Sequence, residues 1–128
     1  MTYRFHHIHV VCRDLEAMID FFGRYFNTVL VKRKPFGAAA GAVLDLGGTR
    51  LNLRVAQESE SPATLDERRA FGYHHIGVTV ADVDADYRRL FADGFVFTTP
   101  PKDIGDRRIA FFEGPEKLLI ELLQPVGG

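Results

Sequence analysis

The chain has 128 residues, 46% of them hydrophobic, and carries 16 basic against 17 acidic side chains. That is enough for one compact domain with a real core, and the near-neutral charge removes the electrostatic reason to expect nucleic acid or an anionic membrane as a partner. Its apolar runs are too short to span a bilayer, and the opening "MTYRFHHIHV" lacks the apolar stretch and cleavage site of a signal peptide. The single cysteine, Cys12, excludes an internal disulfide and fits a reducing, cytoplasmic setting.

In chain order, "FHHIHVVC" (5–12) alternates and is rich in β-branched residues, which predicts a strand. Asp14 is placed to cap the helix that follows, whose apolar face is Leu15, Met18, Ile19, Phe22 and Phe26. A second strand, "TVLVKRK" (28–34), ends before Pro35, and 39–46 with 49–55 form a hairpin around Gly47-Gly48. The segment "AQESESPATLDERRAFG" (56–72) is polar and reads as an exposed linker with room for a helical turn at 64–70. The order then repeats. A strand spans 73–80, and Asp82 caps a helix to about Ala92 with Val83, Tyr87, Leu90 and Phe91 on its apolar side. The strand 95–99 stops at Pro100-Pro101, and strands 107–113 and 117–124 flank a turn at Gly114-Pro115.

The repeat is an internal duplication. His7 to His75 and Asp14 to Asp82 are both 68 positions, and Pro35 to Pro101 is 66. The reading is therefore α+β, with two βαβββ modules at about 4–56 and 73–125 joined by a linker at about 57–72. Each module is too small to bury a core alone, so the two are expected to form one domain over 1–128.

Strand alternation puts Ile8, Val10 and Cys12 under the first helix and turns His7 and His9 the other way. In the second module Ile76, Val78 and Val80 go under the helix, while His75, Gly77 and Thr79 face out. In "LLIELL", Glu121 points opposite to Ile120 and Leu122. A carboxylate among apolar strand residues is costly without a partner. A divalent cation held by His7, His75 and Glu121 would remove that cost; two neutral imidazoles and one carboxylate with open positions make a catalytic metal site. Taken singly, a strand histidine is more often structural, and Glu121 could instead pair with Arg107 or Arg108. The duplication is what groups the three. His6 and His74 fall on the other face and read as structural.

The pattern His-Ile-x-Val-x-x-x-Asp, the helix with aromatics after it, and the closing "GPEKLLIELLQP" resemble the vicinal oxygen chelate superfamily, over essentially the whole chain. This group includes glyoxalases, epimerases, extradiol dioxygenases, fosfomycin-resistance transferases and bleomycin-resistance proteins. The resemblance implies paired βαβββ modules whose sheets curl around a cleft with a metal, matches the ligand strands at His7, His75 and Glu121, and implies a homodimer. Where four-ligand members carry a further ligand, this chain has Asn52, which cannot serve as a general base.

His9 shares the face of His7, about 7 Å along the strand, and suits a substrate-facing acid or base. Asn52, Arg54 and Thr79 are candidates for binding substrate, Arg54 through a carboxylate or phosphate. The expected function is a glyoxalase-like lyase or isomerase in which a divalent ion (Zn, Ni, Mn, Co or Fe) chelates vicinal oxygens of a small carbonyl substrate and stabilises an enolate. An Fe(II) extradiol-type dioxygenase is the second reading. A non-catalytic drug-binding protein is the third, and the intact set of three ligands argues against it.

Overall fold

The structure is a computed structural model that describes residues 2–61 and 71–125. Contacts divide the chain into two compact units, Met1–Thr64 and Leu65–Gly128. The helical turn expected at 64–70 lies outside the described residues.

The first unit runs β1 (His7–Cys12), α1 (Leu15–Phe26), β2 (Val29–Arg33), β3 (Gly41–Leu46) and β4 (Thr49–Val55). Its sheet has the order β1-β4-β3-β2, with β1 parallel to β4 and the remaining pairs antiparallel. Asp14 caps α1 as its position predicts: the Asp14 carboxylate accepts from Ala17 N at 3.0 Å. Leu15, Met18, Phe21 and Phe22 are buried, and Ala42, Leu44, Leu51 and Leu53 of β3 and β4 are buried with them. The helix is rolled further toward Phe21 than the expected face, leaving Ile19 and Phe26 half-buried. Phe21 packs on Phe22, Tyr25 and Phe26 with ring centroids 5.1 to 5.7 Å away, so a local aromatic cluster sets the roll. The β3–β4 hairpin turns at Gly47 and Gly48, both at positive φ (+56° and +98°), where a side chain would be strained.

The second unit repeats this order with β5 (Ile76–Thr79), α2 (Val83–Ala92), β6 (Phe97–Ile104), β7 (Arg107–Glu113) and β8 (Leu119–Pro125), in the sheet order β5-β8-β7-β6. Asp82 caps α2, accepting from Ala85 N at 3.1 Å. Val83 and Leu90 are buried, as are Ala110, Phe112, Ile120 and Leu122. Phe91, expected on the apolar face of α2, is instead 60% exposed. β6 also departs from expectation, continuing through Pro100-Pro101 to Ile104. It is the outermost strand of its sheet and its pairing slips between Phe97 and Thr99 and between Thr99 and Lys102. An edge strand with bulges loses little from a missing N–H, which is why the prolines do not end it. A short 3-10 turn, Pro115–Lys117, leads into β8.

Candidate functional site

Each unit brings its candidate residues together on the sheet face away from its helix. In β1 the alternation holds: His7 and His9 are exposed, and Cys12 is buried at 2% exposure. The parallel ladder sets His7 opposite Arg50, His9 opposite Asn52 and Val11 opposite Arg54. Asn52 is 9% exposed, between His9 on one side and Val43 on the other.

His9 has a defined surrounding. Its ring stands edge-on to Phe36, with centroids 4.8 Å apart. Phe36 belongs to a loop closed on itself by two hydrogen bonds, Phe36 N to Ala39 O at 2.8 Å and Ala39 N to Phe36 O at 3.1 Å. The ring lies against Gly41, and Lys34 Nζ is 4.9 Å from its centroid. Partial burial lowers the His9 pKa below 6.5, helped by the Arg54 cation and by His7, with Glu60 pulling the other way. A neutral imidazole near pH 7 is the form that accepts a proton.

Arg54 makes a bidentate pair with Glu60, at 2.6 and 2.7 Å. Glu60 also accepts from Gln57 N at 2.8 Å, and the two contacts lower its pKa to about 2. The guanidinium fork that the sequence offers to a substrate anion is thus held by a carboxylate of the same unit. Glu60 is the residue that sequence reasoning missed. Nothing in the run "QESESP" singles out which acid turns back onto β4.

In the second unit His75 directly precedes β5, and β5 runs parallel to β8 with Gly77 opposite Glu121 and Thr79 opposite Leu123. Asn52 and Glu121 therefore hold equivalent places: each faces the residue two positions after the candidate ligand histidine. His75 Nε2 lies 3.0 Å from Glu121 Oε1, with the two side chains 29% and 16% exposed. Phe111, opposite Glu121 on β7, stands edge-on to the His75 ring at 4.9 Å. Gly77 faces the carboxylate, and a Cβ there would make only an ordinary contact, 3.7 Å from Oε1. Arg108 is taken by Asp84 and Asp103, and Arg107 by Asp106. The imidazole is what offsets the burial of Glu121. Beside this pair is a pocket of about 200 Å³ lined by His74, Thr98, Thr99, Phe111 and Leu119. Thr79 is exposed on the same strand face as Gly77.

The donor chemistry fits a divalent ion. Two donors bound at about 2.1 Å, with angles between 90° and 109° at the metal, stand about 3.0–3.4 Å apart. The His75–Glu121 separation of 3.0 Å is at the short end of that span. His75 and Glu121 are brought together in one unit, and His7 belongs to the other. Among the described residues no group of three or more His, Cys, Asp or Glu side chains is gathered to hold a metal.

Residues 4–122 match the family model described as Glyoxalase/Bleomycin resistance protein/Dioxygenase superfamily. The chain belongs to this superfamily. Its glyoxalase-like fold recurs in a glyoxalase family protein from Bacillus cereus, with a TM-score of 0.83 and 20% identity over 99% of this chain and 97% of the other. It recurs too in a mutant of the fosfomycin resistance protein FosX from Listeria monocytogenes complexed with Mn(II) and dihydroxypropylphosphonic acid, with a TM-score of 0.70 and 20% identity over 95% and 90% of the two chains. In sequence, the chain is 26% identical over 122 residues to the uncharacterized protein YurT of Bacillus subtilis (strain 168), covering 90% of this chain and 94% of that one. Glyoxalase superfamily membership makes the equivalence of the two βαβββ units a property of the fold. Within it, no helix is long and apolar enough to cross a membrane, among the described residues.

Proposed function

We propose that this chain is a metal-dependent lyase or isomerase of the superfamily, with His7, His75 and Glu121 as the protein ligands of one divalent ion and His9 as the proton carrier. The observation that carries the reading is the pairing of His75 Nε2 with Glu121 Oε1 at 3.0 Å, on the strand pair that duplicates the one bearing His7. His7 completes the set from the first unit, of the same chain or of a second copy in a homodimer.

A bound divalent ion would polarise adjacent oxygens of a small carbonyl substrate and stabilise the negative charge that develops on them. The chain's own residues do the rest. His9, kept neutral by its surroundings, takes or returns a proton beside the carbonyl. Asn52 offers a carboxamide next to His9, where it can hydrogen-bond a substrate oxygen but cannot compete as a base. Phe36 and Phe111 flank His9 and His75 with apolar surface against which the carbon frame of a substrate can rest. Thr79 adds a hydroxyl from β5. Arg54 would bind a substrate anion only by exchanging it for Glu60, a constraint that favours strongly anionic groups such as phosphonate or phosphate.

Elemental analysis and titration with Mn(II), Zn(II), Ni(II), Co(II) and Fe(II) test the metal. The expected result is stoichiometric binding that is lost in His7→Ala, His75→Ala and Glu121→Ala. Tight binding that survives any of these changes refutes the ligand assignment. Turnover of hemithioacetals or acyl-CoA epimers by the loaded protein identifies the lyase or isomerase branch. Oxygen uptake with catechols in the presence of Fe(II) would move the protein to the dioxygenases instead, and drug binding with no metal uptake to the sequestering proteins.

A further inference from the structure

Each candidate ligand histidine follows directly on a second histidine, and in both units the two rings meet through the same atoms. His6 Nδ1 lies 2.8 Å from His7 Nδ1, and His74 Nδ1 lies 2.8 Å from His75 Nδ1. The rings are edge-on in both places, with centroids 5.0 and 5.1 Å apart and interplanar angles of 84° and 80°. Neighbouring side chains within a strand point to opposite faces and cannot meet this way. They do so here because His6 precedes β1 and His74 and His75 both precede β5, where the backbone is not yet in the ladder. The sequence reading of His6 and His74 as residues of the other face is corrected by this geometry.

We propose that His6 and His74 are positioning residues: each holds its neighbour's Nδ1 so that Nε2 of His7 and of His75 is the nitrogen turned toward the ion. The inference rests on the metal reading above. A histidine that ligates through Nε2 carries its proton on Nδ1, and a fixed partner for that N–H sets both tautomer and ring plane. The partner is usually a carboxylate or carbonyl. Here it is a second imidazole, which can either accept or donate at Nδ1. A hydrogen bond between two Nδ1 atoms requires one to be protonated and the other bare.

In the second unit the direction follows from the other contact. The Glu121 carboxylate only accepts, so in the metal-free protein His75 Nε2 carries the proton in that bond. With both rings neutral, His75 Nδ1 is then bare and His74 Nδ1–H donates to it. When Nε2 of His75 is given over to an ion, its proton leaves. The His74 Nδ1 proton passes across the hydrogen bond to His75 Nδ1, and His74, now the acceptor there, takes a proton from water at Nε2. The proton lost from His75 Nε2 is matched by the one gained at His74 Nε2, so both rings stay neutral, and the pair passes from one complementary arrangement to the other without either ring turning. The same pairing in the first unit leaves His7 Nε2 with no hydrogen-bond partner among the described residues.

Two measurements test this. Two-bond nitrogen–proton correlation spectra of the metal-free protein, taken above the imidazole titration range, report each tautomer. His74 is expected as the Nδ1–H form and His75 as the Nε2–H form; finding His74 as Nε2–H overturns the pairing. Second, Zn(II) affinity is measured by competition with a chromophoric chelator. His6→Phe and His74→Phe keep a ring but remove the nitrogen, and each should weaken binding about 10- to 100-fold with the melting temperature unchanged. His6→Asn and His74→Asn place a polar atom where Nδ1 was, and should stay within about threefold of the unaltered protein. Unchanged affinity in the Phe variants overturns the positioning role, and so does an equal loss in the Asn and Phe variants. An unaltered protein that takes up no divalent ion overturns the metal reading itself, an outcome distinct from either.

Discussion

Gly41 of β3 is the position where the fold around His9 has least slack, so Gly41→Ala has a consequence that can be worked out. A Cβ there would overlap Phe36 Cδ2 and stand 2.6 Å from both Phe36 Cε2 and the carbonyl oxygen of Leu53. The ring can swing away, but the Leu53 carbonyl is backbone of β4, the neighbouring strand. Reaching even 3.0 Å requires that contact to open by about 0.4 Å, since 3.0 − 2.6 is 0.4. The movement falls among bonds with no freedom to follow it: Gly41 O accepts from Lys34 N at 3.1 Å, and Ala40 O from Val55 N at 2.9 Å. Overpacking of this kind costs about 1–3 kcal/mol. In a chain of this size that lowers the melting temperature by roughly 4–12 °C. Thermal denaturation followed by circular dichroism reads it directly. Phe36→Ala in the same background separates the two contacts: the penalty of Gly41→Ala should shrink when the ring is gone, yet stay above zero because the Leu53 contact remains. The reasoning is refuted if Gly41→Ala melts within about 1 °C of the unaltered protein, or if its penalty is the same with and without Phe36.

Two further outcomes follow from the charges on the same face. Replacing Arg54 by Gln removes a cation that lowers the His9 pKa and frees the Glu60 carboxylate that raises it, so the His9 midpoint should move up in an NMR titration of the metal-free protein; no movement, or a fall, would contradict the surroundings described for His9. The Glu60 carboxyl, at about 2 in the folded chain against an ordinary 4.5, contributes stability that is complete above about pH 4.5 and is lost as pH falls toward 2. The stability difference between the unaltered protein and Glu60→Gln should therefore be level from neutral pH down to about 5 and shrink below it, as read by urea denaturation at a series of pH values.

Much of this protein is legible in one dimension because its instructions are local and given twice. Two copies of a histidine, an alternating strand and a capping aspartate, 68 residues apart, determine the order of elements, the caps at Asp14 and Asp82, and the face on which His7, His9, Gly77 and Thr79 stand. These follow from side-chain alternation and from unsatisfied N–H groups at helix starts, which act within a few residues. The place of Glu121 also follows, since strand parity alone sets it opposite to Ile120 and Leu122.

What tertiary structure decided is how groups distant in sequence meet. That Glu121 takes His75 as its partner while Arg108 goes to Asp84 and Asp103 depends on which strands adjoin, and charge alone does not choose among those cations. The pairing of Arg54 with Glu60, and of Phe36 with His9 across Gly41, depends on loops whose closure no periodicity encodes. β6 crosses two prolines because it is an edge strand, and an edge exists only once the sheet is assembled. The contacts of His6 and His74 belong to the same class: two residues adjacent in the chain meet through their rings only because at least the first of each pair lies before the ladder.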